Sequence, residues 1–350
     1  MEKRKSIKTE GKDKFNRQEL LKALDKLKPG LSSRGIVEQT THYLFMDDRI
    51  VTYNDELCLM AEYPIGFKGS VRAEEFYKLL TKSSAKEISL DLKEEQLMVK
   101  AGKSSFGLAY MEEEQLHEKV QSLEIDELKW KTLPEELKDA LVLCSFSASK
   151  DMTKPALTGV YVGGRDVLSS DNYRISWYQM KEEMRRKFLV PASSVVHLVN
   201  YEVLEYCLTG SWVHFKGKGL VFSARLLSEE FPVKAKEFFP EEAGEEFELP
   251  KELSGVLDKA MVLLQDDFLL DKEVKLFFTE KEVICEVEKK DLGWLKEEVP
   301  LKSGPKEQIQ IEINPIFLKE ILKKTSKVSL VGEGGVLFTS PNFRHLIALG

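Results

Sequence analysis

Lysines recur at helical spacing along this chain, and cations set out in that way can hold a polyanion through its phosphates without reading sequence. Lys319, Lys323 and Lys327 stand at i, i+4 and i+8, opposite an apolar stripe of Phe317, Leu318, Ile321 and Leu322 when the segment is wound at about 100° per residue. Lys22 and Lys26 lie opposite Leu20, Leu21, Leu24 and Leu27 in the same way. Lys78 and Lys82 repeat the arrangement, and Lys259 does so more weakly. The middle of the chain breaks the pattern, with Ser194, His197 and Tyr201 on one expected outer face and Glu136 and Asp139 on another. A lysine stripe on one helix is ordinarily just a solvated face, so only its recurrence in matching helices gives it meaning.

Catalysis would need other groups. His42, His117, His197, His214 and His345 are scattered, with neither an HExxH motif nor a pair at metal-ligand spacing. Cys58, Cys144, Cys207 and Cys285 are far apart, without a CxxC pair, and read as reduced, buried core residues. Asp47-Asp48 and Asp266-Asp267 look like turn or loop residues. Gly332-Glu-Gly-Gly335 lacks the Gly-Lys-Ser/Thr that completes a phosphate loop, and it falls between two strand-like segments where a hairpin turn suffices. No catalytic site, metal or cofactor is expected.

The elements that must position the lysines are themselves repeated. Val71–Met111, Val190–Leu227 and Ile313–Leu349 each read as one helix-period segment followed by three strand-period segments, and they begin 119 and 123 residues apart. A second series of helices opens at Phe15, Leu133 and Leu249, at offsets of 118 and 116. A period near 120 is too long for a solenoid unit of about 20 to 50 residues, so each copy is expected to be an α+β domain with its own core. The boundaries so read are Phe15–Trp130, Lys131–Glu248 and Leu249–Gly350.

With 350 residues and 42% hydrophobic content the chain can bury an ample core. Met1–Lys14 carries six basic and three acidic residues and reads as a disordered basic tail without the apolar middle of a secretory signal; no run approaches a membrane span, and a cytoplasmic protein is expected. Glu237–Glu248, with six glutamates and no basic residue, reads as a solvated linker. The net charge of −7 argues against global attraction to nucleic acid. If the helices face a common channel with the strands outside, repulsion from the exterior is screened beyond about 8–10 Å, and a weakly basic lumen can hold DNA without gripping it.

The middle third carries Leu157-Thr-Gly-Val160, then Ser170-Asp-Asn-Tyr-Arg-Ile175, then Ser223-Ala-Arg-Leu-Leu-Ser-Glu-Glu-Phe-Pro232. In order and rough spacing these resemble the bacterial β sliding clamp family, the processivity subunit of DNA polymerase III. The likeness runs from about Phe15 to the C-terminus. It implies three tandem copies of one domain per chain, two chains closed head to tail into a ring, helices lining the hole, and antiparallel sheets outside. It implies double-stranded DNA, a replicative polymerase and a clamp loader as partners, and a non-catalytic role.

By the same resemblance, Leu157, Ser170, Asn172, Tyr173, Arg174, Ile175 and Pro232, with Phe238 and Leu346, match a hydrophobic cleft for short partner peptides. Arg34, in a loop after Leu20–Pro29, and Lys150 and Lys154, in Ser149–Pro155, match DNA-facing loops. The chain departs from the family pattern in several places. Asn172-Tyr173 replaces the usual Gly-His and adds bulk at the cleft wall. The last residues, Leu346-Ile-Ala-Leu-Gly350, differ from the usual Met-Pro-Met-Arg-Leu and imply an altered rim, and Gly163-Gly164 is expected to make a tight turn in a shortened hairpin. These departures suggest a divergent clamp, of the sort a phage or mobile element encodes. Two other readings stay open: a clamp-fold regulator or decoy that has lost ring closure, and a hydrolase on an unrelated α+β fold.

Overall fold

The computed structural model describes residues 14–32, 40–111, 114–241, 244–332 and 334–349. The basic leader up to Asp13 and the segment holding Arg34 lie outside the described residues.

A short strand, a helix and further strands recur along the chain. The order opens with β1 (Lys14–Asn16), α1 (Arg17–Leu27), β2 (His42–Met46), β3 (Arg49–Tyr53) and β4 (Leu57–Glu62), then β5 (Lys68–Arg72), α2 (Ala73–Lys82), β6 (Glu87–Lys93), β7 (Gln96–Ala101) and β8 (Ser104–Met111). A helix not expected from the sequence, α3 (Glu114–Gln121), precedes β9 (Lys131–Thr132), α4 (Leu137–Cys144), β10 (Gly159–Ser170) and β11 (Arg174–Pro191). Then come α5 (Ala192–Leu198), β12 (Val203–Leu208), β13 (Trp212–Gly217) and β14 (Leu220–Arg225). The last third runs β15 (Phe247–Glu248), α6 (Leu253–Leu263), β16 (Val274–Phe278), β17 (Glu282–Lys289), β18 (Gly293–Pro300), β19 (Ile309–Ile313), α7 (Pro315–Leu322), β20 (Lys327–Val331), β21 (Gly335–Ser340) and β22 (Phe343–Ala348).

Local chemistry starts the helices. The Asn16 side chain accepts hydrogen bonds from the Gln18 and Glu19 amides, and Leu20, Leu24 and Leu27 bury one face of α1. Arg17 donates to the Leu80 and Ala85 carbonyls, covering the C-terminal end of α2 with a cation. In α7 the Asn314 side chain caps Ile316 and Phe317, and Pro315 takes the first helical position.

By contact the chain forms two compact units. The first, Met1–Leu133 with Asn200–Leu226, holds a twelve-stranded antiparallel sheet in the order β1-β6-β7-β8-β5-β2-β3-β4-β14-β13-β12-β9. The second, Pro134–Val199 with Leu227–Gly350, holds the sheets β10-β11-β22-β21-β20-β15 and β18-β17-β16-β19. Sheet pairing explains why compactness does not follow the 120-residue repeat. In the first unit Phe222 of β14 stands opposite Leu59 of β4, and in the second Ile175 of β11 stands opposite Leu346 of β22, so the two larger sheets join segments from different thirds.

Three local expectations need correction. Gly163-Gly164 is no turn: β10 runs on through it with register shifts, and Gly164, at φ +60, takes a conformation that suits glycine at a bulge. The helix around Val195 ends at Leu198 with Ser194 on its buried face, Tyr201 beyond it is buried too and His197 half-buried, and the exposed residues there are Ser193, Val196, Val199 and Asn200. The acidic stretch after Glu237 is not wholly solvated, because Phe239 packs against Trp177 and Phe247 against Phe278. As for the cysteines, Cys58, Cys144 and Cys285 are buried and Cys207 half-buried, all four free; burial pushes the Cys285 thiol up to about 11. Among the described residues no helix is long and apolar enough to cross a membrane.

Candidate functional site

A cavity of about 930 Å³ lies in the second unit, walled by the ends of β10, β11, β20 and β22 and by a short helical strap, Val233–Phe238. It brings together all nine residues named for the cleft. Leu157, Ile175 and Leu346 supply apolar surface; Ser170, Asn172, Tyr173 and Arg174 come from the turn between β10 and β11; Pro232 and Phe238 come from the strap and its start. Pairing sets this convergence, since Ile175 faces Ser170 on one side and Leu346 on the other. Leu157 and Ile175 continue into a buried cluster with Leu168, Leu189, Phe231, Phe239 and Leu337. Phe238 is 73% exposed and Tyr173 44%, so two aromatic rings stand in reach of solvent at the walls.

Most of the polar wall is committed. The Arg174 side chain is only 6% exposed and meets Asp171 at 2.9 Å and Glu320 of α7 at 2.5 Å, while donating to the Phe146 carbonyl at 3.0 Å. Its guanidinium also lies 4.2 Å from the centre of the Phe317 ring. Asp171 accepts from the Tyr173 and Arg174 amides, and Ser170 donates to the Arg174 carbonyl, so the turn is rigidly bonded. The strap is pinned as well: Phe231 stacks on Tyr161, Phe239 packs on Trp177, and Lys236 pairs with Asp166 at 2.9 Å. A preformed apolar cavity with few polar groups suits a short peptide carrying one or two large apolar anchors. Burying one such side chain contributes about 1.5–3 kcal/mol before the costs of association, which fits reversible rather than permanent binding.

The sequence reading missed Lys234, Ala235, Glu237, Val331, Gly334, Gly335 and Ala348, which also line the cavity. The strap residues follow Pro232 directly and were within reach of the motif. The turn after Val331 was legible as a hairpin, but it reaches the cavity only through pairing of β21 with β22, which no local signal shows.

The lysines divide into groups. Lys22 and Lys26 on α1 and Lys82 at the end of α2 are exposed and make no ion pair among the described residues. Lys78 pairs with Glu74 of its own helix, Lys259 of α6 with Glu297 at 2.8 Å, and Lys319 of α7 with Asp258 of α6. The α7 face is therefore more diluted by acid than its own sequence suggests. Lys327 does not belong to it: the helix ends at Leu322, Lys323 caps it, and Lys327 opens β20 opposite Thr339. Lys150 and Lys154 are exposed on a loop closed by Asp151, whose carboxylate accepts from the Thr153 amide and hydroxyl. The histidines form no cluster, and among the described residues no group of three or more His, Cys, Asp or Glu is arranged to hold a metal ion.

No protein-family model matches the chain. It is 24% identical over 274 residues to the "Beta sliding clamp" of Lactococcus lactis, covering 73% of this chain and 71% of that protein. To the "Beta sliding clamp" of Bacillus subtilis it is 23% identical over 301 residues, covering 80% and 78%. Among solved structures, the beta subunit from DNA polymerase of Streptococcus pyogenes superposes with a TM-score of 0.83 at 18% identity, covering 96% of this chain and 99% of that one. The chain thus has the fold of the bacterial β sliding clamps and is similar to them in sequence, at the distance of a divergent relative.

Proposed function

We propose that the protein is a DNA sliding clamp: a homodimeric ring that encircles duplex DNA and tethers a replicative polymerase through the cleft. The observation that carries this reading is a sliding-clamp fold whose apolar, peptide-sized cavity is lined by the residues that the sequence motifs singled out. The mechanism is topological. A closed ring turns repeated encounters between polymerase and template into retention on one molecule, raising effective concentration without tight phosphate contacts. The role asks no catalysis of this chain, and opening the ring is assigned to a separate ATP-driven loader in the bacterial cytoplasm.

We assign three domains to the ring-forming chain, 15–130, 131–248 and 249–350, with Lys22, Lys26, Lys78, Lys82, Lys150, Lys154, Lys259, Lys319 and Lys323 turned to the DNA, and Arg34 assigned to DNA contact from the sequence resemblance alone. Ring closure uses two different sheet edges. Among the described residues β8 pairs with β7 along Ser104–Ala109 and with β5 only at Tyr110 and Met111, while β18 pairs only with β17. Unpaired edges are templates for another chain, and two unlike edges suit a head-to-tail contact made twice in a closed dimer. An apolar side chain on β18 supports this: Trp294 is 73% exposed.

The test is retention. Loaded onto a nicked circular plasmid by a bacterial clamp loader, the protein should stay with the DNA through gel filtration and be lost once the circle is cut. Equal retention on circular and linear DNA would sink the topological mechanism.

A further inference from the structure

We infer that Lys234 and Glu237 make the cleft selective for the order of charges along the peptide it takes, an inference that rests on the cleft reading above. Both residues line the cavity, both are exposed, and neither makes an ion pair among the described residues. Among the described lining residues the other charge, Arg174, is held by Asp171 and Glu320, and Lys236 on the same strap is held by Asp166. An uncommitted cation and an uncommitted anion therefore stand on one wall of an otherwise apolar cavity.

They are also held at a set separation. Lys234 and Glu237 lie three residues apart on the strap's tight helical turn, which rises about 2 Å per residue and so spaces them by about 6 Å. The strap is anchored before and after them by Phe231 on Tyr161 and Phe239 on Trp177. The strap fixes the spacing of their backbone positions, leaving only the two side chains to be ordered on binding, and beside an apolar wall their field is screened less than in open water. A peptide whose apolar anchors fill the cavity should carry an acidic residue on the Lys234 side and a basic residue on the Glu237 side. The reverse order meets like charge at both ends, which is how charge discriminates between otherwise similar ligands.

The experiment is selection from displayed peptides with a randomised four-residue apolar core, flanked either acid first and base last or base first and acid last. Selection on the immobilised full-length protein at about 50 mM salt keeps screening modest. The wild type should enrich one order at least fivefold, the Lys234→Glu/Glu237→Lys double variant should enrich the opposite order, and Lys234→Ala/Glu237→Ala should enrich neither. The same order on both wild type and swapped variant, or no bias on the wild type, would overturn the inference. Ala348→Trp places an indole in the cavity from an exposed position on β22. If the selected peptides bind that variant as well as the wild type, the cleft reading itself fails, separately from charge order.

Discussion

Asn172 shows how a departure from the family pattern is accommodated at one residue. It sits at φ +78, where glycine is at ease and asparagine is among the few side-chain-bearing residues found with any frequency, so the turn tolerates a side chain at the cavity wall. Arg174, two residues on, is the most heavily committed charge of the site. Arg174→Ala leaves the mostly buried Asp171 without its cation, and unfolding in urea should show a loss of about 3 kcal/mol; a loss under about 1 kcal/mol would mean the tie is dispensable. Two buried histidines make the fold acid-sensitive. His214 meets Ser223, and His345 meets Ser176, each ring nitrogen 2.8 Å from a hydroxyl on the neighbouring strand. Burial lowers His214 to about 4 and His345 well below the usual histidine range, with Arg174 adding to the latter. The unfolded chain takes up these protons near pH 6.5 and the folded chain resists them. Stability should therefore be complete above about pH 6.5 and fall towards pH 4 by about 1.4 kcal/mol per pH unit for each ring. Urea midpoints measured from pH 8 to 5 should show that break, and His214→Asn should make the decline shallower; the same slope in the variant would exclude His214 as its source.

Helices and strands differ in what they can offer DNA. A lysine held by a carboxylate contributes little to phosphate contact, so α1 should matter more than α6 and α7. Each lost phosphate contact lowers the slope of log affinity against log salt by about 0.9. Lys22→Ala/Lys26→Ala should thus reduce the slope for DNA by nearly two. Lys259→Ala/Lys319→Ala, whose ammonium groups already face Glu297 and Asp258, should change it by much less. Binding titrations across salt would decide this, and equal slopes in the two variants would remove the distinction.

At the scale of the whole molecule, one chain has a mass of 40.1 kDa, and the ring reading puts the solution mass near twice that, about 80 kDa. Trp294→Glu sets a charge on the free edge of β18 at a position already mostly exposed, so the fold should survive while the dimer does not. Light scattering over a dilution series should return the dimer mass for the wild type and the single-chain mass for the variant, with unchanged circular dichroism. A wild type that stays at 40.1 kDa would move weight to a clamp-fold regulator without a ring.

Most helices are legible in the sequence, α3 being the exception among the described residues. All six expected helices form, starting two to four residues past the expected points, at Arg17, Ala73, Leu137, Ala192, Leu253 and Pro315. Apolar period and caps such as Asn16 and Asn314 act over a few residues, so they are legible without tertiary context. The cleft residues were legible only through the family resemblance, which Ser170–Ile175 carries as one contiguous bonded turn. Tertiary structure alone decided what crosses between distant segments. The pairing of β4 with β14 and of β11 with β22, the capture of Lys259 and Lys319 by acids, the tie from Arg174 to Glu320, and the hairpin carrying Val331 and Gly335 to the cavity all depend on partners far away in sequence. A residue's type shows that it can pair; only sheet register and helix packing choose the partner, because those are settled by the burial of whole faces at once.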